Sequence, residues 1–310
     1  MQNTPLVSVI VPNYNHARFL DERLTSILRQ TYDNYELIVL DDLSTDNSME
    51  VISKYASDRH LAHVVRNEVN SGSPFKQWEK GFGYAQGELI WIAESDDCCE
   101  PTFLERMVGQ FLEHGDSCAV SFCRSVKIDA DGKRLGEEGM NGDLYKNGHA
   151  FIKDDLSRFN FIVNASSAVF RKCFLNDVDR SYTGFRGCGD WVFWIEIVKS
   201  GCVAYVDAPL NYFRQHNMST TSQQTSSGRG EKELIRVFNH MRTKGYIGAR
   251  EVFRARLTHV YSLRYGKQRH FFPREDEAYY LRQWNETPAI RLLVWTMHCM
   301  QRMGFHVTNW

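Results

Sequence analysis

Three acidic side chains lie within four positions, at Glu94, Asp96 and Asp97, directly after the apolar run at 89–93. Carboxylates this close together repel one another, so we expect them to bind a positively charged partner. Mg²⁺ and Mn²⁺ are commonly held by one or two carboxylates together with phosphate oxygens of a ligand. The cluster therefore predicts a divalent cation, Mn²⁺ or Mg²⁺, that carries a nucleotide diphosphate.

The sequence also limits which motifs could bind a diphosphate. A nicotinamide-binding domain would carry G-x-G-x-x-G after a strand, and a phosphate-binding loop would read G-x-x-x-x-G-K-[ST]. The first apolar run of this chain leads instead to "PNYNHARF", without a glycine. A diphosphate is therefore not expected to be held mainly by a glycine-rich loop, and a divalent cation held by carboxylates is the alternative.

The elements that must position these carboxylates follow from hydrophobic periodicity. Apolar β-branched runs predict strands at 6–12, 35–42, 61–67 and 88–94. Amphipathic segments predict helices at 18–30, 44–56, 74–86 and 101–114, with Ser44 or Thr45 as the cap of the second and Pro101 as the first residue of the fourth. This βαβαβαβ order predicts an α/β protein with a mostly parallel central sheet and helices on both faces.

Ligands of such sheets bind at the carboxyl ends of the strands. Three polar clusters fall at such ends, at 12–15, 41–42 and 94–97. We expect the topology to bring these distant segments to one edge of the sheet, which is the predicted site.

The pattern changes after residue 117. Further strands are predicted at 117–128, 163–170 and 202–216, with a turn at 129–132 and a helix at 189–201. The polar stretch 219–230 reads as a loop or linker, and helical periodicity follows it. The predicted organisation is a catalytic domain at 1–228, with a nucleotide-binding part at about 1–97 and an acceptor part at about 117–228. A helical C-terminal extension spans 229–310.

Charge is distributed unevenly, although the net charge is only −1. Residues 231–310 carry 14 Lys or Arg and 7 Asp or Glu, about +7, which leaves about −8 for the rest. The eight cysteines form no paired C-x-x-C set, and the N-terminus has no basic segment followed by an apolar one. No run of 18 apolar residues occurs. We therefore expect reduced thiols and a cytoplasmic protein, with the inner face of the membrane as a further location.

Four fragments together resemble the family 2 glycosyltransferases of the GT-A fold: "VSVIVPNYN", "YELIVLDDLSTDNS", "AQGELIWIAESDD" and "GCGDWVFW". The resemblance covers roughly residues 6–216 in order and spacing. It implies transfer of a sugar from a nucleotide sugar, commonly a UDP-sugar, with inversion at the anomeric carbon. The missing Q-x-x-R-W signature of processive synthases favours transfer of single sugars.

The resemblance also implies roles for residues at the nucleotide side. Pro12 and Tyr14 would line the base pocket, and Asp42 would bind the base or ribose. Asp97 would ligate the metal, and Asp96 would contact the ribose or metal-bound water. Glu94 stands where many members carry aspartate, so its role stays open.

On the acceptor side, Asp190 matches the general base of the family. An inverting transfer needs such a base to take the proton of the acceptor hydroxyl. Trp191 and Trp194 are candidates for stacking on an acceptor sugar. His216, in "YFRQHNMST", could contact the metal or the phosphates, and Lys76 could reach the base or diphosphate.

Plainer explanations compete with several of these roles. Asp190 could simply cap a helix, and the i, i+3 spacing of the two tryptophans also suits a buried helix face. The C-terminal segment 288–305 could lie in a membrane interface, pack on the catalytic domain or bind a second copy of the chain. Nucleic acid is not expected, because no motif accompanies the basic residues.

The sequence thus predicts a metal-dependent inverting glycosyltransferase. Its partners would be a nucleotide-sugar donor and a glycan or lipid-linked acceptor in bacterial surface polysaccharide synthesis. Two alternatives are a non-catalytic sugar-nucleotide-binding scaffold and a sugar-phosphate nucleotidyltransferase.

Overall fold

The computed structural model describes residues 4–216, 229–266 and 274–303. Its strands are β1 Val7–Asn13, β2 Tyr35–Asp41, β3 Leu61–Arg66, β4 Leu89–Ile92, β5 Cys98–Cys99, β6 Cys118–Ile128, β7 Arg134–Glu138, β8 Leu144–Asn147, β9 Ala168–Arg171 and β10 Cys202–Arg214. Its helices are α1 Ala17–Leu28, α2 Ser48–Ser53, α3 Pro74–Tyr84, α4 Phe103–His114, α5 Gly148–Phe151, α6 Gly189–Val198, α7 Arg229–Thr243, α8 Ala249–Tyr265, α9 Arg274–Gln283 and α10 Pro288–Arg302.

All ten strands join one sheet in the order β3-β2-β1-β4-β9-β6-β10-β5, with β7 beside β6 and β8 beside β10. The first four strands pair in parallel, as does β6 with β10, and the remaining pairings are antiparallel. The prediction of a mixed α/β sheet is confirmed. Because β2, β1 and β4 are parallel neighbours, the segments that follow them share one edge of the sheet.

Helices cover both faces of this sheet because successive strand residues point to opposite sides. On one side, Val9 of β1 joins a core that includes Leu24 of α1 and Phe103 of α4. On the other side, Ile10 lies under Gly81 of α3, where an added Cβ would come within 2.5 Å of the Ile10 side chain. Helix α3 thus packs very closely against β1 at Gly81.

Two predicted helix starts are wrong. Helix α2 begins at Ser48, because the Ser44 hydroxyl instead accepts hydrogen bonds from Asn13, at the end of β1, and from Asn15, in the loop that follows. Helix α4 begins at Phe103, after a turn in which the Pro101 carbonyl accepts from the Thr31 amide at 2.8 Å. Pro101 therefore precedes the helix rather than opening it.

The second half of the sheet differs from expectation in its detail. The predicted strand at 163–170 is a 3₁₀ turn, Ala165–Ser167, followed by the short β9. The turn at 129–132 is confirmed between β6 and β7. Strands β5, β7 and β8 were not predicted, because they are short or exposed and carry little apolar pattern.

The chain divides into two compact units. The first contains the sheet, up to Phe151 and again over Asn160–His216, and the second contains Ile152–Phe159 with the C-terminal helices. The predicted boundary near 228 and most of the loop at 219–230 lie outside the described residues, although 229 and 230 already belong to α7. The placement of Ile152–Phe159 with the C-terminal helices was not anticipated.

The second unit has a core of its own. His259 of α8 stacks on Trp284 at a centroid distance of 4.2 Å, and the Trp284 indole donates to Glu231 of α7 at 2.6 Å. Arg264 donates to both carboxylate oxygens of Glu286, at 3.0 and 2.8 Å. Among the described residues, no helix is both long and apolar enough to cross a membrane.

Candidate active site

The loops after β1 and β2 are joined by hydrogen bonds at the predicted edge of the sheet. The Asn15 amide donates to the Ser44 hydroxyl at 3.0 Å, and the Asn15 side chain accepts from the Thr45 amide at 2.8 Å. Asn15 adopts a positive φ of 57°, which asparagine tolerates better than most residues. Tyr14 is 47% exposed beside this turn, whereas Pro12 is buried in β1.

Asp42, directly after β2, is buried and holds the loop that leads into α3. Its carboxylate accepts from the amide and the hydroxyl of Ser71, both at 2.8 Å, and from Gln77 Nε2 at 2.9 Å. Asn67 donates to it as well. Lys76 is exposed on α3, and its Nζ donates to the Ser71 carbonyl at 3.2 Å. Asp42 therefore orders the loop that precedes α3, the helix that carries Lys76.

Asp97 is buried among protein donors. One oxygen accepts from Asn164 Nδ2 and Ser166 Oγ, both at 2.6 Å, and the other accepts from the Arg214 amide at 2.9 Å. Burial, and next the charge of Asp96, raise the pKa of Asp97 to about 7, while the positive charge of Arg23 opposes them. Through these hydrogen bonds, Asp97 links the segment after β4 to the turn that contains Asn164 and Ser166 and to the end of β10.

Asp96 directly precedes Asp97 in the chain, but its side chain has different neighbours. Its Oδ2 lies 2.9 Å from His216 Nε2. Burial acts to raise the pKa of Asp96, but the hydrogen bond with His216 and the nearby histidine charges outweigh it and lower that pKa. Asp96 is therefore an ionised carboxylate beside an imidazole.

A third side chain completes this group. The ligand atoms of His16, Asp96 and His216 all lie within 4.8 Å of one another. Burial lowers the pKa of His16, which favours the neutral imidazole that can bind a metal. One carboxylate and two imidazoles suit a divalent transition metal. The metal was predicted at Asp97 with His216, whereas the structure gathers Asp96, His216 and His16, and Asp97 is engaged elsewhere.

Arg214 was not singled out from the sequence, yet it joins the end of β10 to the acidic segment. Its backbone amide donates a hydrogen bond to Asp97, its Nε donates to the Asp96 carbonyl at 2.8 Å, and its Nη2 donates to Glu22 of α1. The residue is 2% exposed. Its position two residues before His216, in "YFRQH", was the available signal. Arg214 fixes the distance between β10 and the segment after β4.

Glu94 lies on the opposite side of the same segment. It accepts from Trp78 Nε1 at 2.9 Å, and its amide donates to Ser166 Oγ at 3.0 Å. Burial, followed by the charge of Asp96, raises the pKa of Glu94 to about 8. Near neutral pH this carboxyl group is thus largely protonated and able to donate a hydrogen bond.

Asp190 lies in the first turn of α6, on an element separate from the acidic segment. Its Oδ2 accepts from Asn160 Nδ2 at 2.9 Å. Trp194 was a candidate for stacking on an acceptor sugar, but its indole is fully buried against Phe170 and Phe193 and offers no exposed face for stacking. Trp191 is also buried, with 6% of its surface exposed, so stacking on a sugar is not available to it in this conformation.

Comparison with known proteins identifies the class to which this fold and site belong. The family model described as glycosyl transferase family 2 matches residues 8–176, more than half of the chain. The chain therefore belongs to glycosyl transferase family 2 and is a glycosyltransferase, as the resemblance implied. Because the chain is a glycosyltransferase, neither of the two alternatives, a non-catalytic scaffold or a sugar-phosphate nucleotidyltransferase, is retained.

The chain is also similar to individual glycosyltransferases. The chain is 29% identical over 227 residues to the putative teichuronic acid biosynthesis glycosyltransferase TuaG of Bacillus subtilis, covering 71% of this chain and 83% of that protein. It is 35% identical over 193 residues to an uncharacterized glycosyltransferase of Haemophilus influenzae, covering 58% and 75%. A crystal structure of Staphylococcus aureus TarS 1-349 in complex with UDP-GlcNAc superimposes with a TM-score of 0.57 at 17% identity, covering 90% of this chain and 71% of that one. This likeness confirms the fold.

Proposed function

We propose that this protein transfers one sugar from a UDP-sugar to a glycan or lipid-linked acceptor of a bacterial surface polysaccharide, with inversion and with the help of a divalent cation. The observation that carries the proposal is the group of Asp96 and His216 at the carboxyl edge of a family 2 sheet. UDP as the nucleotide is supported by the structures of TarS in complex with UDP and with UDP-GlcNAc, and the acceptor class by relatives named for teichuronic acid biosynthesis and for poly(ribitol-phosphate).

On the donor side, the exposed Tyr14 is the ring available for stacking on the base. Lys76 lies in the first turn of α3, directly after the loop that Asp42 holds, and would approach the diphosphate. Asp96 and His216 would hold Mn²⁺ or Mg²⁺, which supplies the positive charge that stabilises the departing diphosphate. We assign the metal to these two residues rather than to Asp97.

On the acceptor side, Asp190 would act as the general base. The Asn160 amide donates to Oδ2 of this carboxylate and would help to orient it as it takes the proton of the acceptor hydroxyl. Single-displacement inversion needs no second carboxylate at this position.

Asp190→Asn tests this assignment directly. We expect sugar transfer to fall by at least about 10³-fold, because the amide cannot accept the proton, while calorimetric affinity for UDP with Mn²⁺ stays within a few fold. Asn160→Ala serves as the graded comparison and should reduce transfer by less. Parallel loss of transfer and UDP affinity in the Asp190 variant would make its role structural.

The nucleotide itself is tested by calorimetric titration with UDP, dTDP, GDP and ADP, each with Mn²⁺ and with EDTA. We expect UDP to bind most tightly and to require the cation. Binding that is equally tight in EDTA would refute metal dependence while leaving the transferase assignment intact.

We also propose that the C-terminal unit contacts the inner face of the membrane, where a lipid-linked acceptor would be found. Helix α10 exposes three large apolar side chains, at Leu292, Leu293 and Trp295, and Met303 directly after the helix exposes a fourth. They occur in a segment of about +7 charge, which suits an anionic lipid surface. The protein would then be cytoplasmic and peripheral.

A further inference from the structure

His16 joins the site from the loop after β1, while Asp96 comes from the segment after β4 and His216 from the end of β10. The three residues are widely separated in sequence, yet their ligand atoms lie within 4.8 Å of one another. All three side chains are of metal-ligating type, and they come from three separate elements. The convergence depends on the parallel pairing of β1 and β4, which brings the segments that follow them to one edge of the sheet.

Both imidazole rings are held in place by neighbours. The two rings meet edge to face at a centroid distance of 5.5 Å, and the ring of Phe19 lies 5.0 Å from His216 and 6.0 Å from His16. His16 Nδ1 is within 2.8 Å of Ser95 Oγ. Metal-bound histidines commonly engage their second ring nitrogen in such a hydrogen bond, which fixes the tautomer and the ring orientation.

We propose that His16 is a third protein ligand of the cation, through Nε2, and that the resulting set of two imidazoles and one carboxylate selects a first-row transition ion over Mg²⁺. This inference rests on the proposed function and specifies its metal site. Mg²⁺ prefers oxygen ligands and gives up its water reluctantly, whereas imidazole nitrogen suits Mn²⁺, Co²⁺ and the later ions increasingly well.

The plainer explanation is that His16 only hydrogen-bonds Ser95 and packs against Phe19. It predicts that replacing His16 leaves cation binding unchanged, because Asp96 and His216 would remain. Ligation predicts the opposite, and it also predicts that the loss is larger for a transition ion than for Mg²⁺.

The experiment titrates the full-length protein with Co²⁺, with and without UDP, and follows the visible absorption of the bound ion. Wild type should give a spectrum typical of nitrogen ligation. In His16→Gln, which keeps a polar side chain near Ser95, the affinity for Co²⁺ should fall by at least about tenfold. The matched control is His63→Gln, a half-buried histidine of β3 that contacts Tyr84 and should leave Co²⁺ binding unchanged.

A competition with Mg²⁺ completes the test. Excess Mg²⁺ should displace Co²⁺ more readily from His16→Gln than from wild type, since the variant loses a nitrogen ligand. His16→Phe provides a second variant that restores packing if the glutamine variant is unstable.

Equal Co²⁺ affinity of wild type and both His16 variants would overturn the inference, and so would a wild type that binds no Co²⁺. Loss of binding in Asp96→Asn alone would leave a site without His16. Sugar transfer and UDP binding, measured separately, report on the proposed function, so failure of the third ligand and failure of the transferase proposal can be told apart.

Discussion

Adjacent aspartates can have opposite roles when the backbone turns between them. Asp97 points into the fold, where Asn164, Ser166 and the Arg214 amide occupy both of its oxygens. Asp96 points to the sheet edge and meets His216. The sequence presents two equal carboxylates, and only the tertiary contacts show that Asp97 is surrounded by protein donors whereas Asp96 lies beside the two histidines.

This difference predicts opposite effects of the same substitution. Asp97→Asn should reduce the free energy of unfolding by about 2 kcal/mol, because an amide nitrogen would face donors that need an acceptor, while Mn²⁺ affinity stays within a few fold. Asp96→Asn should largely abolish Mn²⁺ binding and change stability little. Chemical denaturation and calorimetric titration of both variants give the two quantities. If Asp97→Asn lost Mn²⁺ at unchanged stability, Asp97 would belong to the metal shell.

At the scale of elements, the site depends on the link between β10 and the segment after β4. Arg214 makes that link through its amide and its buried guanidinium, so Arg214→Met should lower the free energy of unfolding by about 3 kcal/mol and weaken Mn²⁺ binding. The control is Arg18→Met. Its ion pair with Asp131 is mostly exposed and should contribute less than about 1 kcal/mol.

Denaturation curves and Mn²⁺ titrations of Arg214→Met and Arg18→Met test whether Arg214 makes this link between β10 and the segment after β4. A stability loss in Arg214→Met with intact Mn²⁺ affinity would mean that β10 stays in place without the link. Equal stability losses at both positions would mean that burial of Arg214 contributes nothing.

Two glycines of α3 provide a second comparison between elements. A methyl group at Gly81 would meet Ile10 at 2.5 Å, whereas at Gly83 it would meet nothing within 4 Å. Gly81→Ala should destabilise the protein by about 1–3 kcal/mol through overpacking. Gly83→Ala should stabilise it by about 0.5 kcal/mol through helix propensity. Thermal unfolding of both variants measures the difference, and similar effects of both would show that α3 can move away from β1.

These elements show what periodicity can and cannot predict. Strands β1, β2 and β4 are continuous buried runs, so the sequence marks them and places the acidic cluster at their shared edge. Strands β7 and β8 are half exposed, and β5 has two residues, so no apolar run marks them. His16 was overlooked for a related reason, because its partners Asp96 and His216 come from distant elements.

At the scale of the whole molecule, an acidic N-terminal part and a basic C-terminal part suggest a division of tasks. The sheet unit carries the site, and the C-terminal unit carries the apolar side chains of α10. Stable membrane attachment by such a helix requires both apolar burial and attraction to anionic lipid. The charge of about +7 in residues 231–310 supplies the second of these.

The combined replacement of Leu292 and Trp295 by alanine tests this division. Both side chains are more than half exposed, at 62% and 54%, so the variant should fold normally. Removing two large apolar groups should weaken binding to vesicles that contain phosphatidylglycerol by at least about tenfold. Thr296→Ala, at an exposed polar position of the same helix, should bind like wild type. Sedimentation with vesicles at low and high salt measures binding, and the residual salt dependence reports the electrostatic part. Unchanged sedimentation of the double variant would refute the membrane proposal, and a simultaneous loss of dimers in light scattering would assign the α10 surface to a second copy of the chain.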